Sequence, residues 1–461
     1  MARLPLLHKF LPSSLPMMAR PSYRRELVAA LTSSITLAML EPGVVAVLAK
    51  LVFDISDLAF ATIIASQMFA NLTSLFWTRV AKGRRKGPVM GAIVAATCVL
   101  VATIAVLPTS GWGPTLLVTT IVVGRCCVAG LLTVRSIVWR ANYRRAQRAR
   151  ISGRLVLIAS VLFAVSPLAV YAMLDWRVDV FRVMYPLAAV VGLVGAVALW
   201  GLRVRREKHL LDHDRGVVST REPPLLSRAG RPHTARSILV EDRDFRHYMI
   251  WQFIAGCANM MGEAAITLAI IDLAREAGTA EFTASVLLNT TITTVMVVLT
   301  IPLWARLIDR VHIFEFRAVH GALWVVAQLG NYLAVAYGGL WWIVIPRAIQ
   351  GVMFGGGRLA WQIGHNDFAD RRLAGHYMGI HQTLTGVRGF IAPFIGVGLL
   401  TGFGTIEEGG SAWSVLGLTG FSGIGYSVFL VTTALALAAW LGFCAEAIRV
   451  RRDGRGGKAG R

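Results

Sequence analysis

The chain has 461 residues, 55% of them hydrophobic and only 16% charged, with a formal net charge of +22. A soluble domain carries charge on about a quarter of its residues, and apolar runs of about 20 residues, each able to cross a hydrocarbon core of about 30 Å, recur along the whole length. A soluble globular enzyme is excluded, and so is nucleic-acid binding, because most of the 47 Lys and Arg fall in the N-terminus, alternate loops and the C-terminus, the positive-inside pattern.

Residues 1–26 are basic, interrupted by proline and without a small-residue cleavage site, so the expectation is a cytoplasmic tail rather than a signal peptide. The first span is expected over about 27–52. Glu41-Pro42-Gly43 interrupts it, proline freeing a backbone carbonyl and glycine loosening the helix beside a cavity. Spans at about 58–78, 88–107, 115–138, 155–174 and 180–202 complete a first group of six. Basic connections at 79–86 and 140–154 alternate with an uncharged loop at 108–114 and a short loop holding Asp175 and Asp179.

Residues 203–244 are rich in Arg, Asp, Pro and Ser, lack apolar periodicity and read as a cytoplasmic linker. Six more spans follow at about 246–271, 282–305, 318–337, 340–364, 374–400 and 422–446, then a basic tail over 448–461. Outer loops of this half carry Asp272, Glu276, Glu281, Glu407 and Glu408, and inner loops carry Arg306, Arg310, Arg317, Arg371 and Arg372. The expected fold is an all-α membrane protein of twelve transmembrane helices in two pseudo-symmetric six-helix bundles, 27–202 and 245–447. Both termini are expected in the cytoplasm, with the chain in a bacterial inner membrane as a monomer surrounded by lipid. Cys98, Cys126, Cys127, Cys257 and Cys444 all fall in spans and read as packing residues, not as a disulfide or metal framework.

Two acids lie deep in apolar stretches, Glu41 and Glu263, and two arginines, Arg125 and Arg347, stand fourteen residues before Trp139 and Trp361. Both the acids and the arginines are separated by 222 residues (263 − 41 and 347 − 125), which points to an internal duplication. Because each half has six spans, the copies share one orientation. A charged group inside a membrane span faces protein or a wet cavity and is by default a functional candidate. Two readings stand for the glutamates: carriers of a coupling proton, since desolvation favours the neutral acid, or permanent partners of the arginines. For Arg125 and Arg347 the choice is between contact with an anionic substrate and a structural pair.

The span at 374–400 adds a polar stripe, Tyr377, His381, Thr385 and Arg388, on one helical face. Arg388 has no counterpart in the first half, which makes it a candidate substrate contact together with Tyr377. His381 is either a titrating group or a packing histidine. Gln67, Asn71, Asn289, Thr290, Thr293 and Thr294 suit interhelical hydrogen bonds or a cavity lining. His365-Asn366-Asp367 with Asp370 reads as helix capping rather than a metal site, and Gly355-Gly356-Gly357 as a close-packing segment or hinge rather than a phosphate loop.

Pro302-Leu303-Trp304-Ala305-Arg306-Leu307-Ile308-Asp309-Arg310 resembles the cytoplasmic loop motif of the major facilitator superfamily, and Trp77-Thr78-Arg79 opens a first-half copy with Lys82 where Asp309 stands. Arg347-x-x-Gln350-Gly351 is similar to the family's arginine motif, and Gly389-x-x-Ala392-Pro393-x-x-Gly396 to its antiporter motif. The resemblance implies a gating role for Trp304, Arg306, Asp309, Arg310 and Arg79, and alternating access around a central site lined by spans one, four, seven and ten. The function expected is secondary transport of a small organic solute, coupled to protons through Glu41, Glu263 and His381, with Arg125, Arg347, Gln350, Arg388 and Tyr377 as substrate contacts. The second-half motifs lean towards export. No cofactor and no enzymatic activity are expected. A receptor or assembly factor that keeps the fold without transporting is the alternative, and it predicts dispensable intramembrane charges.

Overall fold

The computed structural model describes residues 19–143, 145–214, 234–369, 373–402 and 420–454. The first half runs as α1 (Arg20–Ala38), α2 (Pro42–Phe53), α3 (Asp57–Leu72), α4 (Ser74–Ala81), α5 (Lys86–Ile104), α6 (Gly113–Asn142), α7 (Arg145–Trp176) and α8 (Phe181–Trp200). Two short helices, α9 (Glu207–Asp214) and α10 (Ala235–Glu241), come next. The second half comprises α11 (Arg243–Glu276), α12 (Glu281–Val286), α13 (Ile292–Ile308), α14 (Ile313–Leu333), α15 (Val344–Ile363), α16 (Ala374–Thr401) and α17 (Val428–Arg452). No strand occurs among the described residues.

Among the described residues, ten helical runs are long and apolar enough to cross a membrane. The other two expected spans are helical in a different way. The one at 58–78 is split at Thr73 into α3 and α4, and α15 carries Arg347, Gln350, Arg358 and four glycines that dilute its hydropathy. The expected interruption of the first span is present. The amides of Met39, Leu40 and Glu41 reach back only three residues, Pro42 supplies no donor, and helix resumes with Val45 bonding the Glu41 carbonyl at 2.9 Å.

Several expected boundaries move. Helix α1 begins at Arg20, seven residues before the expected 27, because Pro21 fits its first turn and Tyr23 and Leu27 are fully buried; residues 1–18 of the expected tail lie outside the described residues. Arg317, expected in an inner loop, is inside α14, which starts five residues early under a His312–Glu315 capping box. Glu407, Glu408, Arg371, Arg372, Asp370 and the end of the basic tail also lie outside the described residues.

The expected linker holds local structure. Asp214 of α9 accepts from Lys86 at 2.6 Å and from the Gly83 amide at 3.2 Å, so this helix is fastened to the basic turn before α5 by charge rather than by apolar burial. Helix α10 starts with a Thr234–Ser237 capping box and buries Ile238.

Contacts group the chain into two compact units, Met1–Val45 with Phe69–Arg221 and Ala46–Met68 with Glu222–Arg461. The same helix pairings occur within each. In the first, α5 packs on α6 and α8, α1 on α7 and α8, and α4 on α6; in the second, α14 packs on α15 and α17, α11 on α16 and α17, and α13 on α15. The duplication read from two pairs of charges is therefore a duplication of packing. Trp77 lies against Gly130, and the Trp304 indole, 227 residues after Trp77, donates at 2.7 Å to the carbonyl of Val352, 222 residues after Gly130. Glycines make the tightest crossings. A Cβ on Gly396 of α16 would lie 2.5 Å from the Met261 carbonyl oxygen of α11, a backbone atom that cannot swing aside, whereas a Cβ on Gly379 meets nothing within 4 Å. Gly396→Ala is accordingly expected to lower the thermal unfolding temperature of the purified protein by several degrees, while Gly379→Ala leaves it unchanged or raises it.

Candidate functional site

In the second unit the buried charge sits at the crossing of α11, α13 and α15. The Arg347 guanidinium, 0% exposed, donates to Glu263 through Nη1 at 2.8 Å and Nη2 at 3.3 Å, a two-pronged ion pair. Its remaining N–H groups reach the Leu288 carbonyl at 3.1 Å, the Asn289 carbonyl at 2.8 Å and Gln350 Oε1 at 2.6 Å. Gln350 in turn donates to Glu263 and, at 3.4 Å, to Asn259.

The two carbonyls belong to residues Leu287–Thr291, a π-helical turn in which the Ile292 amide bonds back to Leu287. Such turns loosen the usual ladder and cluster at functional sites. Thr293 and Thr267 bracket it, Thr293 donating to the Asn289 carbonyl at 2.8 Å and Thr267 to the Glu263 carbonyl at 2.9 Å.

The first unit repeats the pair at lower density. Arg125 Nη1 donates to Glu41 at 3.2 Å and to the Leu40 carbonyl at 3.5 Å, while its buried Nε has no acceptor. Glu41 stands in the gap between α1 and α2, so the helix break that Pro42 imposes carries the carboxylate to α6. Each pair spans 84 residues of sequence. In both, the arginine side chain is almost fully covered, 6% and 1% exposed, while the glutamate keeps 30% and 25%. The cation is locked and the acid remains reachable.

All four members of the α16 stripe are buried. Tyr377 donates to Asp242 at 2.8 Å, and Thr385 accepts from the Trp361 indole at 3.4 Å. Arg388 donates to the Gln252 carbonyl across Gly256, whose missing side chain leaves room for the guanidinium. His381 is 0% exposed, lies edge-on to Tyr248 and Trp361, and neither ring nitrogen has a partner. An unsatisfied buried donor costs about 1–3 kcal/mol, and His381 finds no hydrogen-bond partner among the described residues.

The remaining candidates separate. Trp304 is a packing residue, wedged against Gly355, Gly356, Phe316 and His320, which explains the glycine run as a close-packing device. Arg306, Asp309, Arg310 and Arg79 are exposed, and Asp309 forms no ion pair among the described residues. Asp367 caps α14 by accepting from the Ile313 amide at 2.8 Å.

One buried acid escaped the sequence reading. Glu26 of α1, 4% exposed, accepts from Tyr143 at 2.8 Å and from the Trp139 indole. Arg135 lies over the Trp139 ring at 4.9 Å. The Glu26 signal was its place one residue before the first apolar run, together with the Trp139 that the 222-residue offset had already singled out; in the second half Tyr248 stands at that position.

A family model described as Major Facilitator Superfamily matches residues 27–393. No curated protein matches the sequence. Among solved structures, the nucleoside transporter NupG has a TM-score of 0.60 at 11% identity, covering 92% of this chain and 98% of that one. A bacterial homologue of the human lysosomal transporter Spinster, in an inward-facing and unoccupied conformation, has 0.60 at 14% identity, covering 91% and 96%. A POT family transporter in complex with 5-aminolevulinic acid has 0.65 at 12% identity, covering 96% and 99%. At such identities the likeness is one of fold.

Removing one partner from a buried ion pair costs about 3–5 kcal/mol. Arg347 makes five hydrogen bonds and Arg125 two. Thermal unfolding is therefore expected to show Arg347→Gln as the more damaging substitution, by about 2 kcal/mol or more over Arg125→Gln, and equal losses would contradict the bonding described.

Proposed function

Since the chain belongs to the major facilitator superfamily and is an integral, multi-pass membrane transport protein, we propose that it is a secondary active transporter moving a small polar organic solute by alternating access, coupled to protons. The observation that supports this best is the Glu–Arg pair repeated in each half with a locked arginine and an accessible glutamate. While Glu263 is ionised, its two oxygens occupy Arg347. A proton on Glu263 removes that charge, and the guanidinium, still held by the Leu288 and Asn289 carbonyls, is left without a counter-charge. A carboxylate or other anionic group of the solute then takes the vacated donors. Glu41 and Arg125 work the same way in the first half.

His381 is the third proton-carrying group, and Gln350, Arg388 and Tyr377 complete the polar contacts of the second half. Trp304 holds α13 to α15, while Arg306, Asp309, Arg310 and Arg79 act at the gate. The second-half motifs favour export, and the working unit is a monomer in the bacterial inner membrane, with both termini cytoplasmic. Solved transporters of similar fold that carry nucleosides or bind 5-aminolevulinic acid support a polar organic solute.

Reconstituted vesicles test the coupling. With a panel of nucleosides and amino acids as solutes, wild-type protein is expected to drive uphill flux from an imposed pH gradient. Glu41→Gln and Glu263→Gln are each expected to cut that flux by about tenfold or more, as for a group acting directly in a step, without loss of folded protein. Full gradient-driven flux in both variants would make the pairs structural only.

A further inference from the structure

The stretch from Arg203 to the end of α9 is tied to three separate places in the first unit. At its start, the Arg203 carbonyl accepts from Ser22 of α1 at 2.7 Å and from Asn142 of α6 at 3.1 Å. Asn142, 6% exposed, also accepts from the Arg205 amide at 2.8 Å. One buried side-chain amide therefore bonds the backbone on either side of Val204, and Leu202 and Val204 bury their own side chains.

At the far end, α9 meets the turn between α4 and α5. That turn, Arg79-Val80-Ala81-Lys82-Gly83-Arg84-Arg85-Lys86, holds five cations and no acid, and exposed Lys82 stands where the second copy has Asp309. Lys86 is nevertheless 3% exposed. Its ammonium donates to the Ala81 carbonyl at 2.7 Å and to Asp214 at 2.6 Å, and the same carboxylate oxygen accepts from the Gly83 amide at 3.2 Å. A buried ammonium needs a counter-charge as well as acceptors, and here the counter-charge comes from outside the turn. The pairing of Glu207 with exposed Arg85 at 3.3 Å adds little. A helix as short as α9 does not hold by itself in water. Pinned at both ends, it becomes a rigid piece about 12 Å long.

We propose that residues 203–214 are a strut that makes the start of α1, the end of α6 and the α4–α5 turn move as one body, with Asn142 and Asp214 as its positioning residues. Helix α1 leads to Glu41, α6 carries Arg125, and the turn holds Arg79. The strut thus deepens the transport reading and rests on it for its purpose: movement of the gate turn is passed to the helices of the first Glu–Arg pair.

Hydrogen–deuterium exchange of the full purified chain tests the strut without any solute. In the wild type, residues 79–86, 139–143 and 203–214 are expected to exchange slowly. Asp214→Asn is expected to speed exchange several-fold at 79–86 and also at the distant 139–143, and Asn142→Ala to do so at 139–143 and also at 79–86, because coupling between two sites is reciprocal. Asn142→Ala leaves no unpaired charge and carries the test should Asp214→Asn fold poorly. Responses confined to the substituted end, or fast exchange over 203–214 in the wild type, overturn the strut. In vesicles, both variants are expected to cut pH-driven turnover per folded protein several-fold at an unchanged half-saturating solute concentration, which a contact that only stabilises the fold does not do. Unchanged turnover overturns the positioning role. Reciprocal exchange in a chain without pH-driven flux supports the strut and removes the transport reading instead.

Discussion

An arginine in the hydrophobic interior of a membrane protein has to be neutralised and hydrogen-bonded, and that constraint organises the second half of this chain. Arg347 is fully buried, and five bonds from three helices meet it. Satisfying it fixes where Glu263 stands on α11 and why Gln350 follows one turn later on α15. The Leu288 and Asn289 carbonyls that meet it come from the π-helical turn in the run before α13. The backbone irregularity is tolerated because it is covered by protein rather than exposed to lipid.

The first half meets the same demand with fewer parts. Its helix break at Glu41 brings both the acid and the Leu40 carbonyl to the arginine, where the second half takes the acid from α11 and the carbonyls from the π-helical turn. Matching helix pairings in both units, and the paired roles of Trp77 and Trp304, show that the scaffold was copied along with the charges. What differs between the halves is polar content. Glu26, Trp139 and Tyr143 form a buried acidic cluster in one, and Arg317, Arg388 and His381 a buried basic one in the other.

Much of this was legible before any coordinates. Apolar runs and alternating loop charge give the helical bundle, since lipid forces every backbone group into a helix. A single numerical offset linked Glu41 with Glu263 and Arg125 with Arg347, and the ion pairs follow because intramembrane charges seek one another. Features set by end effects were not legible. Glu26 and Arg317 sit just outside the hydrophobic windows, and long side chains near helix ends ordinarily reach for water, so only packing reveals that these two do not. The short helices α9 and α10 are fixed by charge pairing and capping rather than by periodicity, and the π-helical turn at 287–291 meets Arg347 from another helix.

The account rests on a glutamate that exchanges its arginine for a proton. Infrared difference spectroscopy of the purified protein, recorded as the pH is lowered stepwise, reads that exchange without knowledge of the solute. A protonated-carboxyl band that appears as the pH falls, loses intensity in Glu41→Gln and in Glu263→Gln, and in the double variant falls to what other acids such as Glu26 contribute, is the predicted result. A spectrum unchanged by both substitutions would mean that the two pairs stay closed and carry no proton.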